Sequence, residues 1–177
     1  MSTLISTPRT KMSPIRAEDW ALFKRLHIEP SVIALCFDKP DERVLRDKFE
    51  SRLASWTPEC DHWLCLTIFD ANTQQPIGIT GFVLEEDKAE VGYLLLPEFH
   101  GQQFGTETLK ALLHWAETTH DIRRFSATVT EGNVASERVL TKCGFELSQV
   151  IQDAYQIGGK HYADKIYSRT KIRTYFE

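Results

Sequence analysis

Residues 94–113 read Leu94-Leu-Leu-Pro-Glu-Phe-His-Gly-Gln-Gln-Phe-Gly-Thr-Glu-Thr-Leu-Lys-Ala-Leu-Leu113. A β-rich run, Ala89 to Leu96, ends at Pro97, and a short Gly-containing loop leads straight into a helix. Leu109, Leu112, Leu113 and Ala116 form one stripe on that helix, which extends from Phe104 to Thr119. At such a junction the free N–H groups of the first helical turn meet the positive end of the helix dipole, which favours a phosphate. Gly101 and Gly105 lack a Cβ and let a pyrophosphate come close to the backbone. The loop is neither a P-loop nor a GxGxxG fingerprint, because no Gly-Lys-Ser/Thr follows and the glycine spacing differs.

Working outward, the segment Ser6 to Ile15 reads as an extended strand interrupted by Pro8 and Pro14, which confines it to an edge or to strand ends. A helix follows from Ala17 and stops near Pro30. A second opens after Pro40-Asp41, with Val44, Leu45, Phe49 and Leu53 at helical spacing. Trp63 to Phe69, Ile77 to Leu84 and Ala89 to Leu96 are three β-rich runs whose short connections favour antiparallel hairpins. After the central helix come a strand from Arg124 to Thr130, a helix from Asn133 to Lys142, a strand from Phe145 to Val150 and a last strand pair near Tyr155 to Ile172. This order implies an α/β or α+β fold on a mixed sheet. With 177 residues and no internal repeat or linker, one domain over residues 1–177 is expected.

Composition narrows the function. Lys and Arg number 21 against 25 Asp and Glu, a formal charge of −4, which offers no basic face for nucleic acid and no polybasic membrane anchor. No stretch reaches the roughly 18 to 20 apolar residues that span a bilayer, and the first residues lack the basic start and apolar run of a leader. A soluble cytoplasmic protein is expected. Cys36, Cys60, Cys65 and Cys143 form no CxxC pair, and Cys60, His62 and Cys65 lack a fourth zinc ligand, so reduced thiols and no metal are expected. Gly-x-Ser-x-Gly is absent, which leaves no argument for a serine triad.

Further along, Asn133-Val-Ala-Ser136-Glu-Arg-Val-Leu-Thr-Lys142-Cys-Gly144-Phe145 follows the phosphate-binding loop. Together the two stretches resemble the acetyl-CoA motif and the second motif, Asn-x-x-Ser/Ala with Lys-x-Gly-Phe, of the GNAT N-acetyltransferases. Thr7-Pro8-Arg9, Arg16-Ala-Glu-Asp19 and Thr106-Glu107 resemble the Rim-type branch, whose known members acetylate the N-termini of ribosomal proteins. The resemblance implies a mixed, mostly antiparallel sheet of about seven strands with about four helices and a splayed central strand pair, Ala89 to Leu96 and Arg124 to Thr130.

From the same resemblance, acetyl-CoA is the co-substrate. Leu94, Leu95 and Leu96 contact its pantetheine through their backbone, and Gln102, Gln103, Phe104, Gly105 and Thr106 cradle its pyrophosphate. Asn133 faces the pantetheine arm, although helix N-capping alone explains an Asn there. Glu90 is the expected general base, with a solvent-facing strand position as the other reading. Ser136 is expected to hydrogen-bond or protonate the leaving sulfur, with a helical surface serine as the alternative. Tyr93, Tyr162 and Asp164 are further candidates for the amine pocket, Tyr93 being weighed more toward core packing. Three departures stand out: His100 where the family has Arg or Gln, Gln103 where it has Gly, and Leu140 where many members carry a catalytic Tyr. The acceptor implied is a protein N-terminal α-amine, with a polyamine, amino acid or amino sugar as the alternative and a non-catalytic acyl-CoA-binding module as a third reading. Rim-type proteins can be dimers, which leaves a homodimer open.

Overall fold

The computed structural model describes residues 3–172. Strand β1 (Ile5–Ser6) turns through Pro8 into β2 (Thr10–Pro14), so the expected single opening strand is a hairpin. Proline cannot continue a ladder, and the Thr7 N–H closes the turn on the Thr10 carbonyl at 2.9 Å. Helix α1 (Trp20–Ile28) begins after a 3₁₀ turn at Ala17–Asp19, where Asp19 accepts from the Arg16 N–H at 2.9 Å. Pro30 ends α1 as expected but also opens a short helix, α2 (Pro30–Ile33), because proline is pre-organised for a first helical position. Asp41 then caps α3 (Glu42–Ser51) by accepting from the Arg43 N–H.

Three antiparallel strands, β3 (Leu64–Asp70), β4 (Pro76–Glu85) and β5 (Lys88–Leu95), precede the long helix α4 (Phe104–His120). Next come β6 (Arg124–Thr130), α5 (Val134–Lys142), β7 (Glu146–Ile157) and β8 (Lys160–Thr170). The strand expected at Phe145 to Val150 continues through a bulge between Ile151 and Tyr155 and forms one hairpin with β8. Its turn, Gly158-Gly159, has φ of 59° and 76°, the left-handed pair that a tight hairpin needs. Among the described residues, all eight strands lie in one sheet ordered β1-β2-β3-β4-β5-β6-β8-β7. Within this sheet, as far as the described residues go, β5 and β6 alone are neighbours in parallel.

Helices cover both faces of the sheet. Period-two alternation in β3 sends Leu64, Leu66 and Ile68 toward Leu109, Leu112 and Ala116 of α4, and sends Cys65 toward Phe23, Leu45 and Phe49 of α1 and α3. Thr67, on the second face, donates to the buried Asp19 at 2.9 Å. The same alternation in β5 divides Ala89 and Val91 from Leu94. Each fully buried Phe or Leu contributes about 1.5–3 kcal/mol to this arrangement. No helix among the described residues is long and apolar enough to cross a membrane.

Candidate active site

The parallel pairing of β5 with β6 runs only from Lys88–Arg124 to Glu90–Ser126. Past that point β5 stays with β4 as far as Leu95, while β6 stays with β8 as far as Thr130. The two strands therefore part, as the sequence led us to expect, and a gap opens between them. Antiparallel pairing alternates, so every second residue of β5 offers its backbone to β4. Leu96 does so through a 2.9 Å bond from its N–H to the Ile77 carbonyl, and Leu94 stands two residues away in the same register. Val91, Tyr93 and Leu95 thus present their backbone to the gap. His100 is not aimed at the helix end: its Nε2 donates to the Leu95 carbonyl at 2.8 Å.

Below the gap, the N-terminus of α4 has no side-chain cap. The N–H groups of Phe104, Gly105 and Thr106 have no intrahelical acceptor, by the geometry of any α-helix. Gln103 holds a left-handed conformation at φ 66°, and Gly101 does so at φ 70° with open space where a Cβ would stand. The Gln103 side chain is drawn aside, its Oε1 accepting from Lys142 Nζ at 3.0 Å, which clears the approach to the helix end. Thr106 and Phe104 are buried, and Gln102 folds back to donate to the Glu98 carbonyl at 2.8 Å.

This loop is tied to the N-terminal hairpin. Arg9 donates to the Gln102 carbonyl at 2.9 Å and to Glu107 at 2.7 Å, and its guanidinium lies 4.1 Å over the Phe104 ring. Thr7 donates to the same Glu107 at 2.6 Å. A partly exposed ion pair and a cation–π contact are each worth about 1 kcal/mol or less. Arg9→Ala is therefore expected to raise the KM for acetyl-CoA by about fivefold, an effect of ~1 kcal/mol, with kcat unchanged in steady-state assays.

At the other end of the gap lies a cleft of about 290 Å³ whose polar lining includes Tyr93, Thr130, Asn133, Ser136, Tyr155 and Asp164. Asn133 caps α5, its Oδ1 accepting from the Ser136 N–H at 3.2 Å. Ser136 Oγ lies 2.7 Å from Tyr93 Oη, so the two hydroxyls are joined across strand and helix. Burial pushes the Tyr93 hydroxyl well above its usual range, although its bond to Ser136 opposes this. Burial also raises the Asp164 carboxyl. Leu140 is fully buried where a catalytic Tyr would stand in many relatives of the motif. Tyr93 enters the cleft from the facing strand. The β7–β8 turn closes over this end, with the Gly158 N–H bound to Asp38 at 2.7 Å. Replacing Asn133 by Ala is expected to cost about 1 kcal/mol of stability, the usual loss for an N-cap, measurable by urea denaturation.

Glu90 sits at the last paired position of β5, where the strands begin to part. Its side chain leaves the strand on the face opposite Val91 and Tyr93. It is half-buried, makes no ion pair among the described residues and does not line the cleft. The sequence puts Ser136 and Asn133 beside the gap; in the structure the Ser136 hydroxyl meets Tyr93, and Asn133 caps the helix that carries Ser136. The contiguous run Leu94 to Leu96 divides instead: Leu95 faces the gap with its backbone, and Leu94 and Leu96 face β4. Period-two pairing is the signal that could have shown this.

Residues 9–146 match the acetyltransferase (GNAT) domain family. The chain belongs to the GNAT acetyltransferases. Members of this family use acetyl-CoA as co-substrate, so the matched region is an acetyl-CoA-dependent N-acetyltransferase domain. An uncharacterized N-acetyltransferase of Bacillus subtilis (strain 168), YoaA, is 30% identical over 105 residues, spanning 58% of this chain and 59% of YoaA. The match thus spans somewhat over half the length of that relative. Among solved structures, RimL, a ribosomal L7/L12 alpha-N-protein acetyltransferase in complex with coenzyme A, superposes with TM-score 0.79 at 18% identity over 96% of this chain and 98% of that one. A spermidine N-acetyltransferase from Vibrio cholerae, in complex with CoA and spermine, superposes with TM-score 0.80 at 15% identity over 93% and 96%. At such identities the likeness is one of fold.

Proposed function

We propose that this GNAT protein transfers the acetyl group of acetyl-CoA to a primary amine in a ternary complex, and that the acceptor is a protein N-terminal α-amine. The observation that carries the reading is the gap between β5 and β6 with the uncapped start of α4 beneath it. Unpaired strand backbone suits the amides of pantetheine, and free helical N–H groups suit a pyrophosphate. In this reading Gln102, Gln103, Phe104, Gly105 and Thr106 hold the pyrophosphate, with Lys142 adding positive charge beside Gln103. Tyr93 and Leu95 pair with pantetheine amides, while Leu94, Leu96 and Asn133 shape the walls of the passage.

Each chemical step then has a residue. Glu90, with no competing cation, accepts the ammonium proton directly or through one water, freeing the nitrogen lone pair. The nitrogen attacks the thioester carbonyl carbon, the C–S bond breaks, and the electron pair leaves on sulfur. Ser136 hydrogen-bonds that sulfur and relays to it, with Tyr93 as the second hydroxyl, the proton that the newly acylated nitrogen gives up, so both hydroxyls end protonated. Because Tyr93 stays protonated, it donates rather than competes as an anion. Glu90 then releases the ammonium proton to solvent, and the products are the acetylated amine and CoA thiol.

Assignment to the Rim-type branch is supported by a contact. Two of the features that carry that resemblance, Thr7-Pro8-Arg9 and Thr106-Glu107, meet in the Arg9–Glu107 and Thr7–Glu107 bonds. Four free cysteines accord with the cytoplasm as the proposed compartment. CoA release measured with N-terminal peptides and with an amine panel tests the reading. Turnover with peptides is expected. Turnover with spermidine alone would reassign the acceptor, and none with any amine would remove acetyl transfer.

A further inference from the structure

A second cavity, of about 200 Å³, adjoins the cleft and shares Phe37 and Tyr93 with it. It lies on the opposite face of β5, between Gly92 and Leu94 of that strand and the α1–α3 layer. Two cations line it, Lys48 from the last turn of α3 and Arg52 just after that helix. Among the described residues, no Asp or Glu lines it. Neither cation makes an ion pair among the described residues, although Arg, Lys and carboxylates are paired at many other places in this protein. Arg52 is held in place by aromatic faces, 5.2 Å from the Trp63 ring and 5.5 Å from Phe23, and Lys48 lies 5.8 Å from Phe37. Asp19, the buried carboxylate of the same layer, is already engaged by Thr67 and the Arg16 N–H. The two cations work against one another: burial and Arg52 both lower the Lys48 pKa. Arg52 is half-buried and Lys48 exposed at the cavity mouth. Two neighbouring like charges without a carboxylate partner make a site that an anion would relieve.

Position gives this charge a use. Glu90, Gly92 and Leu94 lie on one face of β5, so the carboxylate proposed to free the amine and the cationic cavity flank the same approach. Gly92, which lines the cavity, follows Glu90 by the rise of two residues, about 6–7 Å along the strand. We propose that Arg52 and Lys48 form an acceptor subsite for a carboxylate carried close to the reacting amine, so that the acceptor is an acidic amine and not a polycation. The inference rests on the acetyl-transfer reading for the identity of the amine, and on the cavity alone for its charge. An acidic side chain in the first residues of a peptide and the α-carboxylate of a free amino acid share the required chemistry. A polyamine, which carries only positive charge, meets repulsion here.

Equilibrium binding in the presence of CoA separates the inference from the function beneath it. Calorimetry would compare the peptide amides Ala-Asp-Glu-Phe and Ala-Asn-Gln-Phe, free glutamate and spermidine, on the wild-type protein and on Arg52→Gln and Lys48→Met. The acidic peptide is expected to bind at least about tenfold more tightly than its amide counterpart, one tenfold step being the ~1.4 kcal/mol typical of a charge-assisted contact. Glutamate binding as well as the peptide would place the source in a free amino acid. Arg52→Gln, with CoA affinity and melting temperature unchanged, should bring the two peptides level. Equal binding of both by the wild type, preferred binding of spermidine, or a preference that survives both substitutions would overturn the subsite. Should a substitution unfold the protein, the wild-type comparison of the two peptides and its weakening by salt still decide. Discrimination without any acetyl transfer would uphold the subsite and refute the proposed function, whereas transfer without discrimination would do the reverse.

Discussion

Ser136→Ala and Tyr93→Phe are each expected to lower kcat for acetyl transfer by about 10²-fold, the usual contribution of a positioned proton donor. Affinity for acetyl-CoA should stay where it was, because neither hydroxyl belongs to the helix end proposed to hold the pyrophosphate. The 2.7 Å contact between the hydroxyls makes them a unit, so removing one strands the other. The double variant should accordingly be no slower than the worse single one, since losses within a unit do not add. Steady-state kinetics at saturating acetyl-CoA and amine measures this. Wild-type kcat in both single variants would sink the relay, and losses that multiply would show two independent roles. Melting temperatures should scarcely move for Ser136→Ala, because alanine is the better helix former.

Acidification is expected to cost the fold about 3 kcal/mol through His27 alone. The imidazole is 3% exposed, stacked 4.2 Å from Phe23 and 5.5 Å from Phe37, and its Nδ1 donates to the Phe23 carbonyl at 2.7 Å. Burial lowers its pKa to about 4, with the nearby Lys48 and Arg52 adding to the depression and the Phe23 bond opposing it. Above the ordinary value of 6.5 both folded and unfolded chains hold a neutral imidazole, so stability is unaffected there. As the pH falls from 6.5 toward 4, the unfolded chain takes up a proton that the folded one refuses, and stability drops by ~1.4 kcal/mol per pH unit. Below about 4 both are protonated and the loss through this group stops. Urea denaturation of wild type and His27→Gln at about pH 7 and about pH 4.5 would show it. The variant should lose much less stability than wild type between the two, and an identical loss would contradict the account.

Much of this fold can be read from local pattern. The stripe Leu109, Leu112, Leu113, Ala116 and the free helix end before it follow from spacing and from the rules of helix termini, and both stand in the structure. So does the capping role of Asn133, which its position before Val134 announces. What escaped is what depends on contacts between distant segments. Pro30 reads as a stop in one dimension, yet the same fixed φ opens α2. Tyr93 reads as core in an alternating strand, and only the docking of α5 across the gap brings Ser136 to its hydroxyl. Nor does local spacing show that Lys48 and Arg52 meet Trp63 and Gly92 at one cavity, since these residues come from separate segments. His100, by residue type a phosphate ligand, is committed to a backbone carbonyl five residues earlier.

Gln103 shows how a departure from a motif is accommodated. A non-glycine at φ 66° costs about 1–2 kcal/mol. Here its amide oxygen reaches Lys142, so the side chain that a glycine would omit is moved away from the helix end and recruits a cation to it. The departures at positions 100 and 103 thus alter which groups surround the proposed pyrophosphate site while leaving the N–H groups of α4 open to it.

Titration of the full chain with acetyl-CoA, followed by calorimetry and by thermal unfolding, tests the central claim most directly. The gap between β5 and β6 and the bare start of α4 predict saturable one-to-one binding that raises Tm with dose, by an increment equivalent to about 2.7 kcal/mol at ~100 times Kd. Arg9→Ala should weaken that binding about fivefold without abolishing it. Absence of both heat and thermal shift in a folded sample would contradict the account.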